Sequence, residues 1–76
     1  MDTITKMIAL IWYIIRDYHA NTYTKKQVCA AAKQELERQG HTVCLERNGR
    51  IIVDNIPYLI YKDSTWNSYD VRHTIL

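Results

Sequence analysis

The stretch Thr42-Val43-Cys44-Leu45-Glu46-Arg47-Asn48-Gly49-Arg50-Ile51-Ile52-Val53 decides the fold. Asn48-Gly49 is a strong two-residue hairpin signal, because a type I′ turn needs positive φ at both central positions and these residue types tolerate it best. Its flanks supply Val43, Cys44, Leu45, Ile51, Ile52 and Val53, the side chains that suit a half-buried pleated surface. A two-residue turn at this point sets Arg47 opposite Arg50, Leu45 opposite Ile52 and Cys44 opposite Val53. Asp54-Asn55 is a second turn candidate, and Ile56 to Lys62 then supplies a third strand carrying Tyr58, Leu59, Ile60 and Tyr61. The stretch therefore predicts a three-stranded antiparallel meander. Pro57 cannot donate to a ladder, which predicts that the third strand lies at an edge.

In that register one face holds Cys44, Ile51, Val53, Ile56, Tyr58 and Ile60, and the other holds Val43, Leu45, Ile52, Leu59 and Tyr61. A sheet with one solvated face alternates more cleanly than this. One face is to be covered by helices. The other requires the C-terminal segment, a second copy of the chain or a partner. Residues 63–76 admit two readings: a short helix capped by Ser64 or Thr65 and carrying Trp66, Tyr69 and Val71, or an irregular strand ending in Ile75 and Leu76.

Upstream of the meander the apolar period changes from two to 3.6. On a helical wheel Ile4, Met7, Ile8, Ile11, Ile14, Ile15 and Tyr18 fall within an arc of about 120°. Leu10 and Trp12 flank this arc, and Thr5, Lys6, Ala9, Tyr13, Arg16 and Asp17 take the far side. Asp2 or Thr3 can cap such a helix, and its end is expected near His19. The run from Met7 to Ile15 follows Lys6 as in a signal peptide, but it segregates onto one face and falls far short of the roughly 20 residues of a membrane span. A second helix is predicted over Lys25 to Gln39. Thr24-Lys25-Lys26-Gln27 fits a capping box, Gly40 suits a left-handed C-terminal cap, and Val28, Cys29, Ala32 and Leu36 form a narrow stripe of mostly small residues. The expected architecture is α+β: two N-terminal helices on a three-stranded antiparallel meander, with residues 1–76 a single domain.

Composition fits this reading. A chain of 76 residues with 47% hydrophobic and 24% charged residues is an ordinary small globule, and two glycines with one proline exclude linker-like and low-complexity classes. A net charge of +2 is weak for a nucleic-acid partner. Two cysteines, Cys29 and Cys44, do not form a disulfide framework; both are expected as reduced thiols, with a cytoplasmic location.

Chemistry-bearing patterns are sparse. His41-x-x-Cys44 has a short metal-ligand spacing, and Cys29 with His19 or His73 would have to complete it, but no second paired-ligand motif exists; no metal and no cofactor are predicted. Cys29 sits among alanines, unlike an activated thiolate. Gly40 and Gly49 make no phosphate loop, and Glu35 and Glu37, two apart on a helix, do not face each other. The expectation is that the protein is not an enzyme.

Contact surfaces remain. Six tyrosines and two tryptophans without a phenylalanine favour half-exposed surfaces, since each combines an apolar body with a polar tip. The predicted protein interface is Tyr58, Leu59, Tyr61, Trp66, Tyr69 and Tyr13. The expected function is a small accessory or inhibitor protein, of the kind that phages and plasmids encode, acting by contact with another protein and able to form a homodimer. The competing reading is a small nucleic-acid-binding regulator using Lys25 and Lys26 at the start of the second helix with Arg47 and Arg50 at the hairpin, loosely like a helix and wing but one helix short. No membrane partner is expected.

Overall fold

The computed structural model describes residues 2–74. Helix α1 (Thr3–Ile15) and helix α2 (Lys25–Arg38) precede four strands, β1 (Val43–Leu45), β2 (Arg50–Val53), β3 (Ile56–Asp63) and β4 (Ser68–His73). The strands form one antiparallel sheet in the order β1-β2-β3-β4, and both helices pack on one side of it. The α+β architecture is as expected, with one strand more than the predicted meander.

Local signals set the helices. The Asp2 carboxylate accepts the Thr5 N–H at 2.7 Å and starts α1. Thr24 and Gln27 exchange the two bonds of the capping box, at 3.2 and 2.8 Å, and start α2. At its far end the Gly40 N–H reaches the Glu37 carbonyl and the His41 N–H reaches the Leu36 carbonyl, both at 3.0 Å, a Schellman closure that Gly40 permits with φ +96°. Helix α1 stops at Ile15, three residues short of the periodic arc. There the chain turns so that His19 bridges Ser68 and the Ala20 N–H meets the Asn67 carbonyl at 2.9 Å; pairing with β4 replaces the last helical turn.

The first hairpin departs from expectation. Asn48 and Gly49 both take positive φ, but within a three-residue loop, Arg47-Asn48-Gly49, closed by the Glu46 N–H on the Arg50 carbonyl at 2.8 Å. Val43 then faces Val53, Cys44 faces Ile52 and Leu45 faces Ile51. This is a slip of one residue, and it exchanges the faces of β1: Val43 and Leu45 turn to the helix side and Cys44 to the outside. The two-residue turn with positive φ at both positions is instead Asp54-Asn55, at 51° and 69°.

Strand β3 is not an edge. It pairs with β2 on one side and with β4 on the other. Pro57 is tolerated because its carbonyl faces β4 and accepts the Thr74 N–H at 3.1 Å; the missing donor falls on the same side, past the last β3–β4 rung at Tyr58 and His73. The segment left open between helix and strand is β4, entered through a loop in which the Asp63 carboxylate accepts the Thr65 N–H and Asn67 has φ 53°. Its Ser68-Tyr69-Asp70-Val71-Arg72-His73 alternates, with Tyr69 and Val71 buried on the helix side. Ile75 and Leu76, the end of the strand reading, lie outside the described residues.

The core fills the space between the helices and the inner face of the sheet. Met7, Ile11 and Ile15 come from α1, Val28, Cys29, Ala32 and Leu36 from α2, and Val43, Ile51, Val53, Tyr58, Ile60, Tyr69 and Val71 from the sheet. Among the described residues no helix is long and apolar enough to cross a membrane.

Candidate functional site

The outer face of the sheet follows from register and alternation. Cys44, Ile52 and Pro57 form one cross-strand row; Arg50, Leu59 and Arg72 form the next; Tyr61 and Asp70, then Asp63 and Ser68, complete the face. No described element packs over it. Ile52, Leu59 and Tyr61 are half-buried, Pro57 is buried and Cys44 is exposed.

Charge is distributed along this face. The Arg50 Nε lies 2.8 Å from a Glu46 carboxylate oxygen but without an aligned N–H, so the contact is mainly coulombic. The Arg72 guanidinium lies 5.6 Å from the Tyr61 ring centroid, a cation–π approach, and has no ion pair among the described residues. Partial burial first, and the Asp70 carboxylate second, push the Tyr61 phenol above its usual range, so it remains a neutral donor at physiological pH. Beside Leu59, a shallow concavity of about 450 Å³ is lined by Arg50, Arg72, His73 and Thr74, and the Thr74 Oγ1 has no partner among the described residues.

The predicted interface residues do not share one surface. Leu59 and Tyr61 lie together on the outer face. Tyr58 and Tyr69 are core residues, 1% and 5% exposed, because they alternate to the helix side; the Tyr69 hydroxyl donates to the Tyr23 carbonyl at 2.8 Å. Burial removes both from any contact surface. Trp66, 76% exposed, stands at the tip of the β3–β4 hairpin, and Tyr13, 61% exposed, on the solvent side of α1.

The alternative nucleic-acid residues are better gathered. A Cβ on Gly49 would stand 2.7 Å from the Lys25 Cδ, so the Lys25 stem lies across the hairpin tip. Lys25 therefore adjoins the Arg47-Asn48-Gly49 loop, Lys26 follows it in the first turn of α2, and Arg50 turns to the outer face beside Glu46. The candidate metal ligands are separated instead: Cys29 is buried on the helix side of the sheet, and Cys44 is exposed on the other.

Two features escaped the sequence reading. Arg72 and Asp70 belong to the outer face, and the alternation of Ser68 to His73 was the available signal. A groove of about 460 Å³ also runs between the helices, lined by Leu10, Tyr13, Ile14 and Tyr18 of α1 and the loop after it and by Ala31 and Arg38 of α2, among others. Beside it the Arg16 guanidinium stacks 4.2 Å from the Tyr13 ring centroid. No protein-family model, curated protein or solved structure matches this chain.

Proposed function

We propose that this protein is a non-enzymatic binding module, an accessory or inhibitor protein that acts by contact between its outer sheet face and another protein. The observation that carries this reading is the set Ile52, Leu59 and Tyr61, which the register gathers on a face that no described element covers. Contiguous apolar surface bordered by charge is the anatomy of a contact patch. The test compares the tagged protein with its Leu59→Arg and Tyr61→Asp variants as baits in the cells it comes from. A bound protein lost from both variants, while their melting temperatures stay near that of the parent, supports the reading. Equal recovery by all three baits would refute it.

A second reading has its own support in the Lys25 stem, which crosses the hairpin tip and brings one cation of α2 to the loop that carries Arg47. These cations favour phosphate contacts that are weak and steeply salt-dependent. Sub-micromolar, sequence-selective binding to duplex DNA at physiological salt would place this reading first.

A further inference from the structure

The outer face carries its own charge complement. Arg50 and Arg72 supply two cations, and Glu46, Asp63 and Asp70 supply three anions, around Ile52, Leu59 and Tyr61. A polyanion such as nucleic acid would meet those carboxylates unfavourably, and a strongly acidic or basic protein would match only half of the face. A copy of the same face presents both signs and can set its Asp70 against Arg72. We propose that the protein seated on the outer face is a second copy of this chain, packed face to face about a two-fold axis that runs across the strands between the Leu59 and Tyr61 rows. The proposal rests on the contact reading above and names the partner.

The geometry follows from symmetry. An axis across the strands reverses their direction and keeps each strand's place across the sheet, so β4 lies over β4 of the second copy. Leu59 then meets Tyr61 of the second copy, and Arg72 meets Asp70 of the second copy, twice in each dimer. Both groups are available for this. Arg72 has no ion pair among the described residues. Asp70 accepts the Val71 N–H at 2.8 Å through Oδ1 and a hydrogen bond from the Tyr61 phenol, and its carboxylate has no cation partner among the described residues. Two sheets packed in this way are an aligned sandwich, their strand directions within about 30°. The patch measures roughly 15 by 20 Å from strand spacing and rise, so the dimer belongs to the small, transient class of interface.

The experiment is sedimentation equilibrium on the whole chain from about 10 μM to about 1 mM, the range in which transient interfaces saturate. The parent protein is expected to pass from monomer to dimer. Leu59→Arg is expected to remain monomeric throughout. Arg72→Asp and Asp70→Arg should each weaken the dimer about tenfold, and the double exchange should recover most of the loss, because the two sites then carry opposite charges again. Asp70→Asn keeps an oxygen for the Val71 N–H and should weaken association with no change in melting temperature. A monomer at the highest concentration, a dimer indifferent to Leu59→Arg, or a double exchange no better than its parts would each overturn the proposal. A monomeric parent that still captures a cellular protein in a Leu59-dependent way would overturn the second copy alone. A monomeric parent that captures nothing would remove the contact function as well.

Discussion

Two faces of one sheet carry similar side chains and have different fates. On the inner face Ile51, Val53, Tyr58 and Ile60 are no more than 1% exposed, sealed by Met7, Ile11 and Ile15 of α1 and by Val28, Ala32 and Leu36 of α2. On the outer face Ile52, Leu59 and Tyr61 alternate with those residues along the same strands and are only half-buried. Strand propensity is spent equally on both faces. The difference lies in what covers them, so substitutions on the inner face are expected to change stability, and those on the outer face are expected, under the proposed contact function, to change association.

Neighbouring residues give the largest test of that division. Ile60→Ala removes a fully buried side chain from the core and should cost about 2–5 kcal/mol in unfolding free energy. Leu59→Ala, one residue away on the other face, should cost less than about 1 kcal/mol. Chemical denaturation of both variants decides whether the faces differ, and equal losses would mean that the outer face is also core.

Gly49 comes next. A methyl there would stand 2.1 Å from the Ile60 carbonyl oxygen at a φ of +84°, so Gly49→Ala should lose more than about 1 kcal/mol. Shift or loss of the β1 amide signals on that substitution would show that the turn holds the register that turns Cys44 outward.

A thiol reagent reads the same two sides without mutation. Cys44 is exposed and should react quickly, whereas Cys29 is covered by the core and burial pushes its thiol up, so it should react only as the protein opens. Two labels without reductant, one fast and one slow, are expected. A loss of two hydrogens with no label would contradict the separation of the cysteines by the sheet.

The smallest effect is at the link between α2 and the β2–β3 turn. The Asp54 carboxylate accepts the Thr42 N–H at 3.0 Å and lies 2.7 Å from His41 Nδ1, and these contacts, the backbone one first, hold its pKa below the ordinary 3.8. Folding stability from this group is present above the ordinary value and is lost as pH falls through the lowered one. Asp54→Asn should therefore flatten the acid limb of the melting-temperature profile and leave association through the outer face unchanged.

How much of this was legible in the chain depended on how local each signal was. The caps at Thr24 and Gly40 and the stripe from Val28 to Leu36 act within a few residues, and the structure keeps all of them. The hairpin register was not legible, because positive φ at Asn48 and Gly49 fits a three-residue loop as well as a two-residue turn. What distinguishes the two is distant in sequence, since the Gly49 backbone lies against the carbonyl of Ile60 and the stem of Lys25. Leu59 and Tyr61 share one face in the sequence pattern as in the structure, whereas Tyr58 and Tyr69 alternate with Leu59 and Asp70 and so turn inward, a signal that residue type alone does not carry. Capping residues at Ser64 and Thr65 kept a helix in contention for a segment that pairs with β3.

Methyl and amide NMR shifts followed across a dilution series test the central claim most directly, because each strand carries its own control. Leu59, Tyr61, Asp70 and Arg72 are expected to shift together with concentration, while Ile60 and Val71, their neighbours on the inner face, stay still. Shifts confined to Tyr13 and Ile14 in the groove between the helices, or no shifts at any residue, would contradict it.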